Sequence, residues 1–298
     1  MKLSDLIEEY LLEQRCRGNT ADTLEYYDNV LSYFRDFLDD LDVNDLSLAD
    51  CRRYLLYQRD RSVSSTTVQS YVRGVRAFLT WAFNNDYIEE NIPYKFRLPK
   101  AARPLIAVLT DAEIRRLYDA VEYGDAFHRH RNRLILALFL DCGLRLSELV
   151  TLSLRRVFLD ERYFIVTGKG QKDRAVSFGY STDQMLRAYL PFVPRSANTL
   201  ILKKSVFGDV EPITETAIKQ LFRKLQFRSG IERLYPHLLR HTFATRYIEN
   251  GGSIYDLRDI LGHTSLSMTM RYVHLAQTRI RSDFDRFSPL DKIKRSEF

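Results

Sequence analysis

Tyr235–His274 reads YPHLLRHTFATRYIENGGSIYDLRDILGHTSLSMTMRYVH, and the rest of the chain is organised around it. Pro236 falls in the first turn of an expected helix, where its missing N–H costs little. His237 and Arg240 stand three apart and so share a face of that helix. Gly251-Gly252 closes it, and Asp256 to Leu261 make a short second helix. Gly262 then turns the chain so that His263 points away from that helix. Ser267 is placed to cap a third helix, with Met270, Tyr272 and Val273 in its early turns. Two imidazoles, a guanidinium and a phenol in one such stretch suit phosphate chemistry. Arginine offers a planar fork to phosphate oxygens. Histidine moves protons near neutral pH. Tyrosine is a covalent nucleophile once its anion is stabilised.

The chain has 298 residues, enough for one large domain or two ordinary ones, and apolar residues make up 45% of it, enough for sizeable cores. Its net charge of +6 is unevenly spread. Residues 1–100 hold 13 basic and 17 acidic side chains, and residues 101–298 hold 32 and 22, so the second part carries net +10. Such an excess fits a polyanionic partner or an ordinary basic surface. Cys16, Cys51 and Cys142 are too few and too scattered for a disulfide scaffold or a zinc site, and Cys142 lies in an apolar run that should be buried. With no apolar signal region and no run long enough to span a bilayer, the expected location is reducing and cytoplasmic.

From the N-terminus, Leu3, Leu6, Ile7, Tyr10 and Leu11 have helical spacing. Gly18-Asn19 ends that helix, and Thr20 or Asp22 caps the next, which carries Leu24, Tyr27, Leu31, Phe34 and Leu38. After an acidic turn at Asp39 to Asp45, Ser47 caps a third helix with Cys51, Tyr54 and Leu55. A polar break at Ser62 to Thr67 precedes a fourth, with Val68, Val72, Val75, Phe78 and Leu79. Arg52, Arg53, Arg59, Arg61, Arg73 and Arg76 concentrate on the third and fourth helices, as a face for a DNA backbone or as a solvated face. Residues 91–109 contain Pro93, Pro99 and Pro104 with Lys95, Arg97, Lys100 and Arg103. They read as a basic interdomain linker, lying along nucleic acid or serving as a plain spacer.

Thr110 and Glu113 form a capping box that opens the second domain. Leu134 to Leu140 is an apolar run suited to a central helix, ending at Asp141-Cys142-Gly143. Gly143 permits a tight turn that sets Arg145 at the start of a new helix, with Glu148 on the same side. Glu148 either orients Arg145 or forms a routine surface pair. Residues 163–166 and 175–178 read as two short strands joined by Gly168-Lys169-Gly170-Gln171-Lys172-Asp173-Arg174. That tip lacks P-loop spacing. Lys169 either reaches into a groove to protonate a leaving oxygen or is an exposed basic turn. Thr214 caps a later helix whose polar side bears Lys219, Arg223 and Lys224, a further DNA-facing candidate set.

Together, Arg145 in GLRLSEL, Lys169 in VTGKGQKDR, His237 and Arg240 in HLLRHTFAT, His263 in LGH and Tyr272 resemble the tyrosine recombinase (phage integrase) family, in its Xer-like two-domain form. The resemblance covers essentially the whole chain. It implies a mainly α fold with a small β-sheet in the catalytic domain. A SAM-like helical core-binding domain would occupy residues 1–90, a linker 91–109, the catalytic domain 110–283, and a tail, 284–298, would dock on a neighbouring protomer. It implies a site-specific recombinase that cleaves and rejoins DNA through a 3′-phosphotyrosine, in resolution, integration or excision. Tyr272 would be the nucleophile and Arg145 and Arg240 the phosphate clamp. Lys169 would be the general acid, His237 the acceptor of the Tyr272 proton, and His263 a phosphate ligand. Glu148 and His241 would be supporting residues. No metal or other cofactor is implied. The partners implied are double-stranded DNA with inverted-repeat half-sites, a homo-tetramer assembled on it from monomers, and a second recombinase or accessory protein. A type IB topoisomerase-like relaxing enzyme and a catalytically idle DNA-binding protein are the competing readings.

Overall fold

The computed structural model describes residues 1–99, 107–168, 172–205 and 208–273. Contacts divide the chain into two units, Met1–Pro104 and Leu105–Phe298. The described residues of the first unit are helical: α1 (Leu3–Cys16), α2 (Ala21–Phe37), α3 (Leu48–Asp60), α4 (Ser65–Asn84) and the short α5 (Ile92–Lys95), with a 3-10 turn at Val43–Asp45. Each long helix turns one apolar stripe inward. Leu3, Leu6, Ile7 and Tyr10 of α1 meet Val30, Leu31 and Phe34 of α2, Tyr54 of α3, and Val72, Val75, Phe78 and Leu79 of α4 in one core. Each large apolar side chain so buried contributes on the order of 1.5–3 kcal/mol. Gly74 permits the close approach of α2 and α4, because a Cβ there would lie 2.7 Å from Val30.

Local chemistry sets the helix starts. Ser47 and Asp50 form a reciprocal capping box on α3. Thr20 occupies the N-cap position of α2, without a side-chain bond. The polar stretch at 62–67 is shorter as a break than expected: Ser64 caps α4 by accepting from the Thr67 N–H at 3.1 Å, so residues 65–67 are already helical. Three free helical N–H groups next to a serine oxygen outweigh the poor helix propensity of Ser and Thr. The segment 91–109 is not uniform. Ile92 and Phe96 are buried in the first core, Leu109 is buried in the second unit's core, and residues 100–106 lie outside the described residues.

The second unit runs α6 (Asp111–Ala120), α7 (Ala126–Leu140), α8 (Leu146–Thr151), β1 (Val157–Phe158), β2 (Tyr163–Thr167), β3 (Asp173–Ser177), α9 (Tyr180–Tyr189), β4 (Leu202–Lys204), β5 (Val210–Pro212), α10 (Glu215–Ser229), α11 (Pro236–Glu249) and α12 (Ile254–Leu261). A further helix, α13, starts at residue 266 and is described to residue 273. The antiparallel strands form a sheet of order β1-β2-β3 and a separate β4-β5 pair. In the first, Phe164 faces Val176 and Val166 faces Arg174.

At the centre, the second half of α7 is apolar on every side: Leu134, Ile135, Leu136, Leu138 and Phe139 are all buried. It packs against α9 and α11. Gly143 follows it at φ +60°, a conformation glycine adopts without a Cβ penalty, and a Cβ there would lie 2.4 Å from the Phe243 ring. This turn brings the start of α8 beside α11. Thr110 and Glu113 form the capping box of α6. Leu109 donates its N–H to Thr242 of α11 at 2.9 Å.

Candidate active site

Four segments converge. The turn after α7 presents Arg145 at the N-cap of α8. The first turns of α11 present His237, Arg240 and His241, with Pro236 at their head. The left-handed Gly262 after α12 presents His263, and α13 presents Tyr272. Strand β3 adds Arg174.

Arg240 is buried, 3% exposed, and its guanidinium donates to the Gly143 carbonyl at 2.5 Å and the Leu261 carbonyl at 2.8 Å. It also lies 3.5 Å from His263 Nε2. Burial and the neighbouring Arg145 charge lower its pKa to about 9, which leaves it a cation at neutral pH. Arg145 donates to Glu148 Oε1 at 2.7 Å and to the Gly262 carbonyl at 3.0 Å. A guanidinium carries five N–H groups, so donors remain for a phosphate.

Glu148 is 2% exposed and sits among three guanidiniums: Arg145 and Arg174 at 2.7 Å and Arg240 at 3.9 Å. Burial by itself would raise its carboxyl. The hydrogen bonds and charge of Arg174, then those of Arg145, outweigh burial and hold it at about 2. Three cations against one anion leave two positive charges in excess, the electrostatic signature of an anion site. Glu148 is thus no routine surface pair.

Tyr272 is fully buried, against Phe243, Ala244, Ile248, Leu257 and Leu261. Its hydroxyl is hydrogen-bonded to His241 Nδ1 at 2.8 Å. The family resemblance implies His237 as the acceptor of its proton. In the structure the hydrogen-bond partner of the hydroxyl is His241, one helical turn on, with the His237 ring 6.4 Å from that of His241. The Tyr272 ring lies parallel to His263 at 6.5 Å, and Arg271 covers it at 5.2 Å. Burial raises the phenol pKa, and the charges of Arg271 and Arg240 oppose that rise. Burial and nearby arginines lower His241 and His263 to about 4 each, so both rings are neutral at pH 7. A neutral His241 whose proton is on Nε2 can accept the phenol O–H at Nδ1. His237, at the surface, is also lowered, by the packing around its ring and then by Arg240 and Arg145.

His263 follows the left-handed Gly262 out of α12 and is 8% exposed, with Thr269 bonded to its Nδ1 at 2.9 Å and Arg240 facing its other nitrogen. One expectation about this stretch is corrected. Ser267 does not cap the last helix, which is already formed at residue 266, and the Met268 N–H bonds the Ser265 carbonyl at 3.3 Å.

Lys169 lies outside the described residues, as does the tail, 284–298. The hairpin that carries Lys169 is closed by the Gly168 N–H donating to the Lys172 carbonyl at 2.8 Å. Of the candidate DNA contacts, Arg52, Arg59, Arg73, Arg97 and Arg223 are exposed. Arg53 is paired with Asp50, Lys95 with Glu90 and Lys219 with Glu215. Arg61 and Arg76 are half-buried, and Arg61 lies 4.5 Å over the Tyr33 ring. Arg174 and Arg271 escaped the sequence reading. The signal for Arg174 was its alternation with Val176 on the inward face of β3.

Residues 107–279 match the Phage integrase family, and residues 2–98 match the Phage integrase SAM-like domain. The tyrosine recombinase XerC of Staphylococcus saprophyticus is 32% identical over 264 residues, 87% of this chain and 88% of the relative. That of Pediococcus pentosaceus is 29% identical over 97% of this chain and 98% of the relative. Among solved structures, the Tn1549 transposon integrase in complex with transposon right-end DNA shares the fold at a TM-score of 0.77 and 22% identity, over 96% of this chain and 99% of that one.

Proposed function

The chain belongs to the phage integrase family, the tyrosine site-specific DNA recombinases, and we propose that within this activity Tyr272 is the nucleophile that His241 and the arginine cluster serve. The observation that carries the assignment is a tyrosine hydroxyl bonded at 2.8 Å to a neutral imidazole, beside guanidiniums in excess of their one carboxylate.

The phosphodiester of duplex DNA is the anion that this positive excess attracts. Arg145 and Arg240 hold its non-bridging oxygens and offset the charge that gathers on them in the transition state. With Thr269 donating to its Nδ1, a neutral His263 carries its proton on Nε2 and can donate that to the phosphate. The entering phosphate offsets the arginine charges that, behind burial, hold His241 low, and its imidazole becomes a better base. The Tyr272 oxygen attacks phosphorus and its proton passes to His241. The bond to the 5′ oxygen breaks, Lys169 protonates that oxygen, and a 3′-phosphotyrosine and a free 5′-hydroxyl result. His237 lies at the mouth of the site, where it can meet the phosphate or relay a proton. Religation reverses these steps with a different 5′-hydroxyl, so strand exchange needs no external energy source. Paired inverted-repeat half-sites occupied by four protomers, with a cytoplasmic setting, complete this reading.

Duplexes of randomised sequence, nicked just 3′ of the central positions, test it. Cleavage releases a short fragment and traps the adduct, which denaturing gels resolve. The wild-type protein should yield adduct, and Tyr272→Phe should bind the same DNA and yield none. Adduct at normal yield from the phenylalanine variant would remove Tyr272 from its role.

A further inference from the structure

We infer that Arg174 is a positioning residue that aims Arg145 by holding the Glu148 carboxylate directly and bracing the chain just before the Gly262 carbonyl, an inference that rests on the recombinase reading of the site. Arg145 is held at two points: the Glu148 carboxylate at 2.7 Å and the Gly262 carbonyl at 3.0 Å. The two terminal nitrogens of Arg174 make a bidentate pair with Glu148, at 2.7 Å to Oε1 and 2.9 Å to Oε2. Its Nε donates at 2.7 Å to the Ile260 carbonyl, two residues before Gly262.

The same Glu148 oxygens accept from Arg145, Oε1 from the side chain and Oε2 from the backbone N–H at 2.8 Å. Arg145 by itself gives each oxygen one bond. The parallel fork of Arg174 adds a second bond to each, which stiffens the carboxylate plane and with it the direction of Arg145. The recess is shaped for this guanidinium. A Cβ at Gly168 would lie 3.3 Å from its Nη1, and one at Gly262 would lie 3.0 Å away. The side chain is 13% exposed and each of its nitrogens has a protein acceptor, so Arg174 is placed to act through its neighbours and not on the phosphate. An ammonium at this position keeps the charge but cannot make the parallel fork and the carbonyl bond together.

The test uses full-length Arg174→Lys and Arg174→Gln on a nicked duplex captured by the wild-type protein. Two scissile linkages are compared, the natural phosphate and an uncharged methylphosphonate that has less need of the arginine clamp. DNA affinity should stay within about twofold, since every nitrogen of Arg174 is already taken by a protein acceptor. Adduct formation on the phosphate should fall about 100-fold, the scale of a misaimed catalytic group. Most of that loss should disappear on the methylphosphonate. Equal loss on both linkages, no loss on either, or failure of both variants to fold would overturn the inference. Absence of adduct from the wild-type protein would instead count against the recombinase reading.

Discussion

Tyr272 is withdrawn from water and His241 is its nearest base, so the pH response of the protein should report on this pair and on His263. His241 and His263 sit at about 4 in the folded protein, against an ordinary 6.5. Between those values the unfolded chain binds protons that the folded chain refuses. Stability from these rings is complete above pH 6.5 and is lost as pH falls toward 4. Glu148 adds a second window, because its carboxyl is held at about 2 against an ordinary 4.5, and its contribution is lost below 4.5. Melting temperature should decline between pH 6.5 and 4 and continue to decline below 4.5. His241→Gln together with His263→Gln should flatten the upper part. A melting temperature constant from pH 7 to pH 4 would contradict the buried, neutral state of both rings.

Among the elements, the left-handed turns after α7 and α12 place the arginines. Gly143 carries φ +60° and leaves no room for a Cβ beside Phe243. Gly143→Ala should therefore combine backbone strain with overpacking and destabilise by about 2–4 kcal/mol. Chemical denaturation should show a lower midpoint at an unchanged slope. Full stability in this variant would mean that the turn is not held by its packing on α11. At the other extreme, Thr110→Ala removes a cap at the surface and should cost about 1 kcal/mol. Adduct yield, measured well below the melting temperature, should stay at the wild-type level with Thr110→Ala and fall with Gly143→Ala, whose turn leads directly into Arg145.

For the whole molecule, charge decides how DNA binding is divided. Residues 101–298 carry net +10 and residues 1–100 net −4, yet α3 and α4 expose Arg52, Arg59 and Arg73. Binding that neutralises phosphates releases counterions, so affinity should fall steeply and log-linearly with salt. A chain of residues 105–298 has its own core and should fold. It should bind the captured duplex more weakly than the full chain and with a shallower salt slope, because the first unit's phosphate contacts are gone. Gel-shift titrations across a salt series measure both. Equal affinity and slope for the two proteins would remove the first unit from the DNA interface.

Local physics made much of this protein legible in one dimension. The capping boxes at Ser47–Asp50 and Thr110–Glu113 declare their helices, because an N-cap bond closes within four residues. The buried stripe of α4 follows from periodicity, and the buried second half of α7 from its unbroken apolar run. His237, Arg240, His263 and Tyr272 were visible as a motif because they lie within a short run of chain. Which imidazole meets the phenol was not visible. His237 and His241 are one turn apart on the same helix, about 6 Å along its axis, and local spacing favours neither. The docking of α13 on α11 makes that choice. Nor could spacing pair Glu148 with Arg174, 26 positions away, or seat Arg174 against the Ile260 carbonyl, 86 positions on. Those partners are set by where β3 and the end of α12 come to rest around one buried carboxylate. A buried charge must find its counter-charges in three dimensions.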